Sequence, residues 1–156
     1  MFIVKWKPEA LPRPWVAGVS FVHDGDTVRV GSGAAGILVR IWGIDAPEIG
    51  QYGFRQCRDA LAGFLRGKKV TVHSREFDKY GRVVARLVTA AGEDVGGWML
   101  ENGLAWWEYH FARESHEYRA LQKKARKRGL GIWARQPWGF APWVWRMRHR
   151  VGYAAK

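Results

Sequence analysis

Residues 15–42 read WVAGVSFVHDGDTVRVGSGAAGILVRIW, and the pattern of this stretch decides the fold. β-Branched and aromatic residues come in short runs, broken at His23-Asp24-Gly25-Asp26 and again at Gly31-Ser32-Gly33-Ala34-Ala35-Gly36. Such runs, split by turn-forming residues, predict three short strands joined as consecutive hairpins. Downstream, Cys57, Leu61, Phe64 and Leu65 fall at helical spacing, and Gly67 can end that helix in a left-handed conformation. Two further strands are expected over residues 68–75 and 82–89, joined by Glu76-Phe77-Asp78-Lys79-Tyr80-Gly81. Asp94 is placed to cap a short second helix carrying Val95, Trp98 and Met99. Ser115 is placed to cap a third, running to about Arg128, with Tyr118, Leu121 and Ala125 facing inward. Five strands with interleaved and trailing helices predict an α+β fold, and closing the strands into a small barrel hides the sheet edges.

The chain has 156 residues, 47% hydrophobic and 26% charged, which suits one compact domain. It contains no apolar run of about 18 residues or more, so no membrane span is expected. Lys5, Lys7, Pro8, Glu9, Pro12, Arg13 and Pro14 break any signal-peptide core near the start, and the compartment stays open because a leader can be removed. Cys57 is the sole cysteine, so no intrachain disulfide or cysteine zinc site is expected, and its apolar neighbours predict a packed thiol. The histidines, His23, His73, His110, His116 and His149, lack metal-ligand spacing.

The net charge is +12, and residues 101–156 hold 12 of the 26 basic side chains but 4 of the 14 acidic ones. Such a field attracts polyanions, nucleic acid ahead of anionic membrane. A solvated basic helix face is the plainer reading, because Lys123, Lys124, Arg126, Lys127 and Arg128 suit the negative end of the third helix. Beyond Trp133 the chain is rich in tryptophan and arginine, with Trp138, Trp143, Trp145, Arg146, Arg148 and Arg150 among Pro137 and Pro142. Docking of this stretch over the barrel is preferred to membrane anchoring or a strand-binding surface, since exposed clustered tryptophans promote aggregation. The organisation expected is an extension over residues 1–14, a domain over 15–135 and a Trp/Arg-rich extension over 136–156.

Three segments concentrate chemistry. In Val22-His23-Asp24-Gly25-Asp26-Thr27-Val28 a glycine turn sends a carboxylate out at the start of a strand. In Val39-Arg40-Ile41-Trp42-Gly43-Ile44-Asp45-Ala46-Pro47-Glu48, Arg40 leaves a strand and two carboxylates follow on a turn fixed by Pro47. Asp78-Lys79-Tyr80-Gly81-Arg82 presents an arginine as the next strand begins. Asp26 and Asp45 with a backbone carbonyl can make an open site for a hard cation such as calcium, and Glu48 is then free for a coordinated water. Arg40 and Arg82 offer planar forks to phosphate oxygens. Each segment also has a plain structural reading, as an ordinary turn, a helix entrance and a hairpin loop. Asp24 can orient water or stabilise its own turn. Without a cation the clustered carboxylates are expected to repel one another.

In order and spacing the three segments resemble the staphylococcal nuclease (thermonuclease) family, over about Val19 to Trp133. The resemblance implies an OB-type Greek-key barrel of five strands with three α-helices, and calcium-dependent hydrolysis of DNA and RNA. It implies that Asp26, Asp45 and the carbonyl of Ala46 bind Ca2+, that Glu48 holds or deprotonates the attacking water, and that Arg40 and Arg82 clamp the scissile phosphate. Tyr80, Tyr109 and Phe111 align with aromatic positions that pack on the nucleotide, with Lys79 beside them. Gln51, Tyr52 and Gly53 before the first helix, and residues 129–133 after the third, also look like family features. Ala46 replaces a threonine, which a carbonyl ligand survives, and Phe111 replaces a tyrosine. The link from Glu48 to the first helix is short, so a long mobile loop is not expected there. A monomer acting on single strands, with no stable protein partner, is the expectation. The competing one is a catalytically inactive OB-fold module that binds nucleic acid.

Overall fold

The computed structural model describes residues 10–11, 13–135 and 141–153. In chain order its elements are β1 (Trp15–Val22), β2 (Thr27–Val30), β3 (Ile37–Ile41), β4 (Ile44–Asp45), α1 (Phe54–Leu65), β5 (Lys69–Phe77), β6 (Val83–Thr89), α2 (Val95–Glu101), β7 (Trp106–Trp107), α3 (His116–Lys127) and α4 (Pro142–Tyr153). Five strands close into a barrel in the order β1-β2-β3-β6-β5. All neighbours are antiparallel except β3 and β6, which run parallel with Arg40 opposite Val84. Alternation along the strands fills the interior with Val28, Val30, Val39, Ile41, Val70, Val72, Val83, Ala85 and Leu87.

The α+β barrel is the one expected, and the first three helices follow the predicted spacing. α1 buries Cys57, Leu61 and Leu65, and Gly67 just beyond it has φ +70°. Ser115 caps α3 by accepting from the Tyr118 amide, and Tyr118 and Ala125 are buried. Asp94 precedes α2, but its side chain makes no cap. It is drawn away instead: its Oδ2 accepts from the buried Tyr118 hydroxyl at 2.6 Å and from Arg86 at 2.8 Å. That knot ties β6, α2 and α3 together.

Two features were not expected. The first is a fourth helix, α4, in the stretch read as an extension, with Pro142 at its first position, where a missing N–H costs nothing. The second is a small sheet outside the barrel, in which β4 pairs with β7, Asp45 opposite Trp106 and Ile44 opposite Trp107. Trp106 is buried in the core and Trp107 half-buried, the division that extended backbone imposes on adjacent residues. Ala141, just before α4, is buried in the core, and α4 packs Trp143 against this sheet, its ring edge-on to Trp106 at 5.5 Å. Trp133 meets Trp106 from another side at 4.3 Å. Most of the expected 1–14 extension, and within 136–156 Pro137 and Trp138, lie outside the described residues. Among the described residues, no helix is long and apolar enough to cross a membrane.

The end of α3 returns to the core through a backbone crossing in which the Ile132 amide donates to the Gly103 carbonyl at 2.8 Å. Gly103 and Gly131 both have positive φ, and a Cβ on either meets the backbone of the other segment. Gly103→Ala should therefore destabilise the protein by about 2–4 kcal/mol, through strain and overpacking together. Chemical denaturation monitored by circular dichroism measures this; a loss under about 0.5 kcal/mol, the size of a neutral surface change, would contradict the close crossing.

Candidate active site

The turn between β1 and β2 is built by its own side chains. The Asp24 carboxylate accepts from the Asp26 amide at 3.0 Å, and the His23 amide donates to the Thr27 carbonyl at 2.9 Å. Gly25 lets this turn lie flat on the segment after β4, since a Cβ there would stand 2.7 Å from the Ala46 Cβ. Asp26 then reaches across: its Oδ2 accepts from the Ala46 amide at 2.7 Å and its Oδ1 from the Thr27 hydroxyl at 3.0 Å.

Arg40, near the end of β3, lies between the two aspartates. Its Nε is 3.4 Å from Asp26 Oδ1 and its Nη2 is 3.3 Å from Asp45 Oδ1. Nη1 donates to the carbonyls of Ile41 at 3.1 Å and Ile44 at 2.6 Å. Asp45, on β4, is 1% exposed. Glu48 follows Pro47 on a turn in which its amide donates to the Gln51 side chain and its carbonyl accepts from the Gln51 amide, both at 2.9 Å.

Arg82 joins the same cluster through Thr27. Its Nη1 donates to the Thr27 hydroxyl at 3.2 Å, while Nε is held by Asp78 at 2.6 Å. Asp78 also closes the turn by accepting from the Tyr80 and Arg82 amides. Tyr80 is 67% exposed, with Lys79 Nζ and the Arg82 guanidinium 5.1 and 5.5 Å from its ring centre. Tyr109 and Phe111, in the loop after β7, are also exposed. Tyr109 contacts Trp107, His110 and Arg113. Beyond Glu48, an open groove of about 630 Å³ runs past Ile49, Tyr52, Phe54, Arg55 and Arg58.

Asp24, Asp26, Arg40, Asp45, Ala46, Glu48 and Arg82 are thus brought into one connected cluster, with Lys79 and Tyr80 at its edge. Sequence reasoning missed two members. Thr27, the bridge between Arg82 and Asp26, carries no signal beyond its place after Asp26. Arg146, on α4, donates through Nη2 to Asp45 Oδ2 at 2.7 Å and through Nη1 to Asp45 Oδ1 at 3.0 Å and Glu48 Oε1 at 2.6 Å. The expected repulsion among clustered carboxylates is present, Asp26 acting on both Asp24 and Asp45, but arginines are interleaved with them and offset it. Burial still pushes Asp45 up to about 6, against the pull of Arg146 and Arg40. Burial, and then the neighbouring charge of Asp26, push Asp24 up to about 7.

Comparison with known proteins shows what the chain is similar to. A family model described as "Staphylococcal nuclease homologue" matches residues 38–135. An Escherichia coli protein named "Uncharacterized endonuclease" is 33% identical over 127 residues, covering 81% of this chain and 82% of its own. A "Micrococcal nuclease" of Shigella flexneri is 34% identical over 134 residues, covering 80% and 76%. "Protein ParB" of Escherichia coli is 31% identical over 134 residues, covering 80% and 75%.

Asp24 generates a pH prediction. Its ordinary value is 3.8 and its folded value about 7, so the folded chain holds a proton that the unfolded chain releases. Its contribution to stability is present below about 4 and is lost as pH rises to about 7. Asp24→Asn keeps the acceptor for the Asp26 amide and removes this cost. It should raise stability at pH 8, in the absence of divalent ions, by an amount on the order of 1–2 kcal/mol. Near pH 4 the gain should vanish. Melting curves across pH test this, and a gain that grows toward acid pH would reverse the assignment.

Proposed function

Because the chain belongs to the staphylococcal nuclease family, we propose that it is a calcium-dependent nuclease that hydrolyses phosphodiester bonds of DNA and RNA. The observation that carries this reading is the hydrogen-bonded cluster in which Arg40 joins Asp26 to Asp45, with Arg82 tied in through Thr27. The donor set suits a hard divalent ion, since oxygens of Asp45 and Glu48 already converge on one cationic nitrogen. Among the described residues no group of three or more His, Cys, Asp or Glu side chains gathers to hold a metal. By the family resemblance, Asp26, Asp45 and the Ala46 carbonyl would hold Ca2+, with water and substrate completing its shell. Bound there, the ion would supply charge to offset that of the phosphate in the transition state.

This chain's own groups do the rest. Glu48 takes a proton from the attacking water, whose oxygen bonds to phosphorus as the bond to the 5′ oxygen breaks in line; the departing oxygen takes a proton from solvent, leaving a 3′-phosphate and a 5′-hydroxyl. Arg40 and Arg82 receive the negative charge that gathers on the phosphoryl oxygens. Water, not a ribose hydroxyl, is the nucleophile, so both DNA and RNA are substrates. Tyr80, Tyr109 and Phe111 offer stacking faces for unpaired bases and Lys79 a charge for the backbone, which favours single strands. The nuclease domain occupies residues 15–135, and the protein works as a monomer. Asp24 holds the turn that carries Asp26.

One observation favours a second reading. Arg146 neutralises Asp45 and Glu48, and if that pairing were permanent the barrel would be a non-catalytic nucleic-acid-binding module.

Digestion of single-stranded DNA, duplex DNA and RNA with calcium, magnesium or chelator separates the two. Calcium-dependent cleavage selects the enzyme, whereas chelator-insensitive binding without cleavage selects the module. In the enzyme, Glu48→Gln should keep affinity for an uncleavable strand and lose about 100-fold or more in turnover. Arg82→Lys keeps the charge but loses the fork, and should cost a similar factor, about 3 kcal/mol. Near-normal cleavage by either folded variant would show that the chemistry lies elsewhere. Asp26→Asn should raise the calcium concentration that half-saturates cleavage; an unchanged calcium dependence would remove Asp26 from the ion's ligands.

A further inference from the structure

We propose that Arg146 is a built-in counter-cation of Asp45 and Glu48, which a divalent ion must displace before it can bind. The inference rests on the reading of Asp45 as an ion ligand and adds to it a residue outside the matched residues 38–135.

Three observations carry it. The first is occupancy. The Arg146 fork takes both oxygens of Asp45, at 2.7 and 3.0 Å, and an oxygen of Glu48 at 2.6 Å. An ion on Asp45 competes for those same oxygens, where Arg40 already stands 3.3 Å from Oδ1, and a further positive charge beside the Arg146 guanidinium is repelled. The second is delivery. Arg146 follows Trp143 by three residues on α4, so both point from one face of the helix. Trp143 rests on Trp106, and Trp106 is the ladder partner of Asp45. The packing that anchors α4 therefore aims its arginine at the carboxylate. The third is release. The Arg146 side chain is 43% exposed while that of Asp45 is 1% exposed, so the guanidinium has solvent to move into without disturbing the barrel, and its long stem permits this with α4 in place.

The consequence is a threshold. The metal-free carboxylates are satisfied by the protein itself, and ion binding is weakened by the strength of the pairing it replaces. A charge-assisted fork of this kind corresponds to about ten- to a hundredfold in affinity.

The test is calorimetric titration of calcium chloride into the full-length protein without nucleic acid, on wild type, Arg146→Gln, Arg146→Lys and Asp45→Asn, each checked for folding by circular dichroism. The expected result is tenfold or greater tightening in Arg146→Gln, a gain of a few-fold in Arg146→Lys, and loss of binding in Asp45→Asn. Arg146→Lys preserves charge and length, so its gain carries the test should Arg146→Gln fail to fold. Equal affinity in wild type and both Arg146 variants, with binding still lost in Asp45→Asn, would overturn the counter-cation while leaving the nuclease reading intact. The same is true if Arg146→Gln leaves calcium affinity unchanged and a second titration, with an uncleavable single strand, shows weakened binding, because Arg146 is then a phosphate contact. Absence of calcium binding in wild type and in both Arg146 variants would overturn the ion site and, with it, this proposal.

Discussion

The guanidinium of Arg40 is the piece from which the rest of the cluster hangs. It reaches Asp26 at the start of the barrel's second strand, Asp45 on the short strand outside the barrel, and two carbonyls of the connecting turn. An arginine does not lose its proton, so burying one forces the surroundings to supply acceptors in a fixed fork. The acceptors here include the two carboxylates proposed to hold the ion, and satisfying Arg40 therefore also positions them. Removing one partner of such a buried pair leaves an uncompensated charge worth about 3–5 kcal/mol. The cluster is consequently held by the stability of the fold as well as by any ligand it takes.

Much of this was legible in the amino-acid sequence, and the legible parts share a cause. The turn at Asp24-Gly25-Asp26, the segment from Arg40 to Glu48 and the loop from Asp78 to Arg82 are local patterns, each set by residues a few positions apart. The barrel strands follow from β-branched runs, and the first three helices from apolar spacing. What escaped reading is tertiary. Asp94 stands where a cap belongs, yet a buried tyrosine hydroxyl and Arg86 compete successfully for its carboxylate. Thr27 links Arg82 to Asp26 across 55 residues of chain, and nothing in the composition around it announces that bridge. The two-residue strands β4 and β7 are too short to show any periodicity.

The fourth helix combines both kinds of information. Its tryptophans predict docking over the barrel, and Trp143 packs against the core on Trp106 of the small sheet beside the barrel. Its arginines add to the basic field that attracts polyanions, whereas Arg146 is found on carboxylates of its own chain. A polyanion and a buried carboxylate present the same sign of charge to an arginine, so net charge alone cannot choose between them. The choice comes from the Trp106 ladder, which places Asp45 within reach of the helix that Trp106 anchors.

The single parallel contact in the barrel has a bearing on how the molecule reaches its final state. β3 and β6 pair in parallel at Val39–Val83 and Arg40–Val84, with α1 and the whole of β5 between them in the chain. Loop closure over such a separation is slow, because the entropy is lost before the contact forms. Arg40 sits on one partner and Arg82 immediately before the other. Each arginine can find its local turn early, but only pairing between strands distant in the chain brings the two into one cluster. A partly folded or kinetically trapped chain has the pieces of the cluster without their convergence, so completeness of folding is written into the geometry of the site.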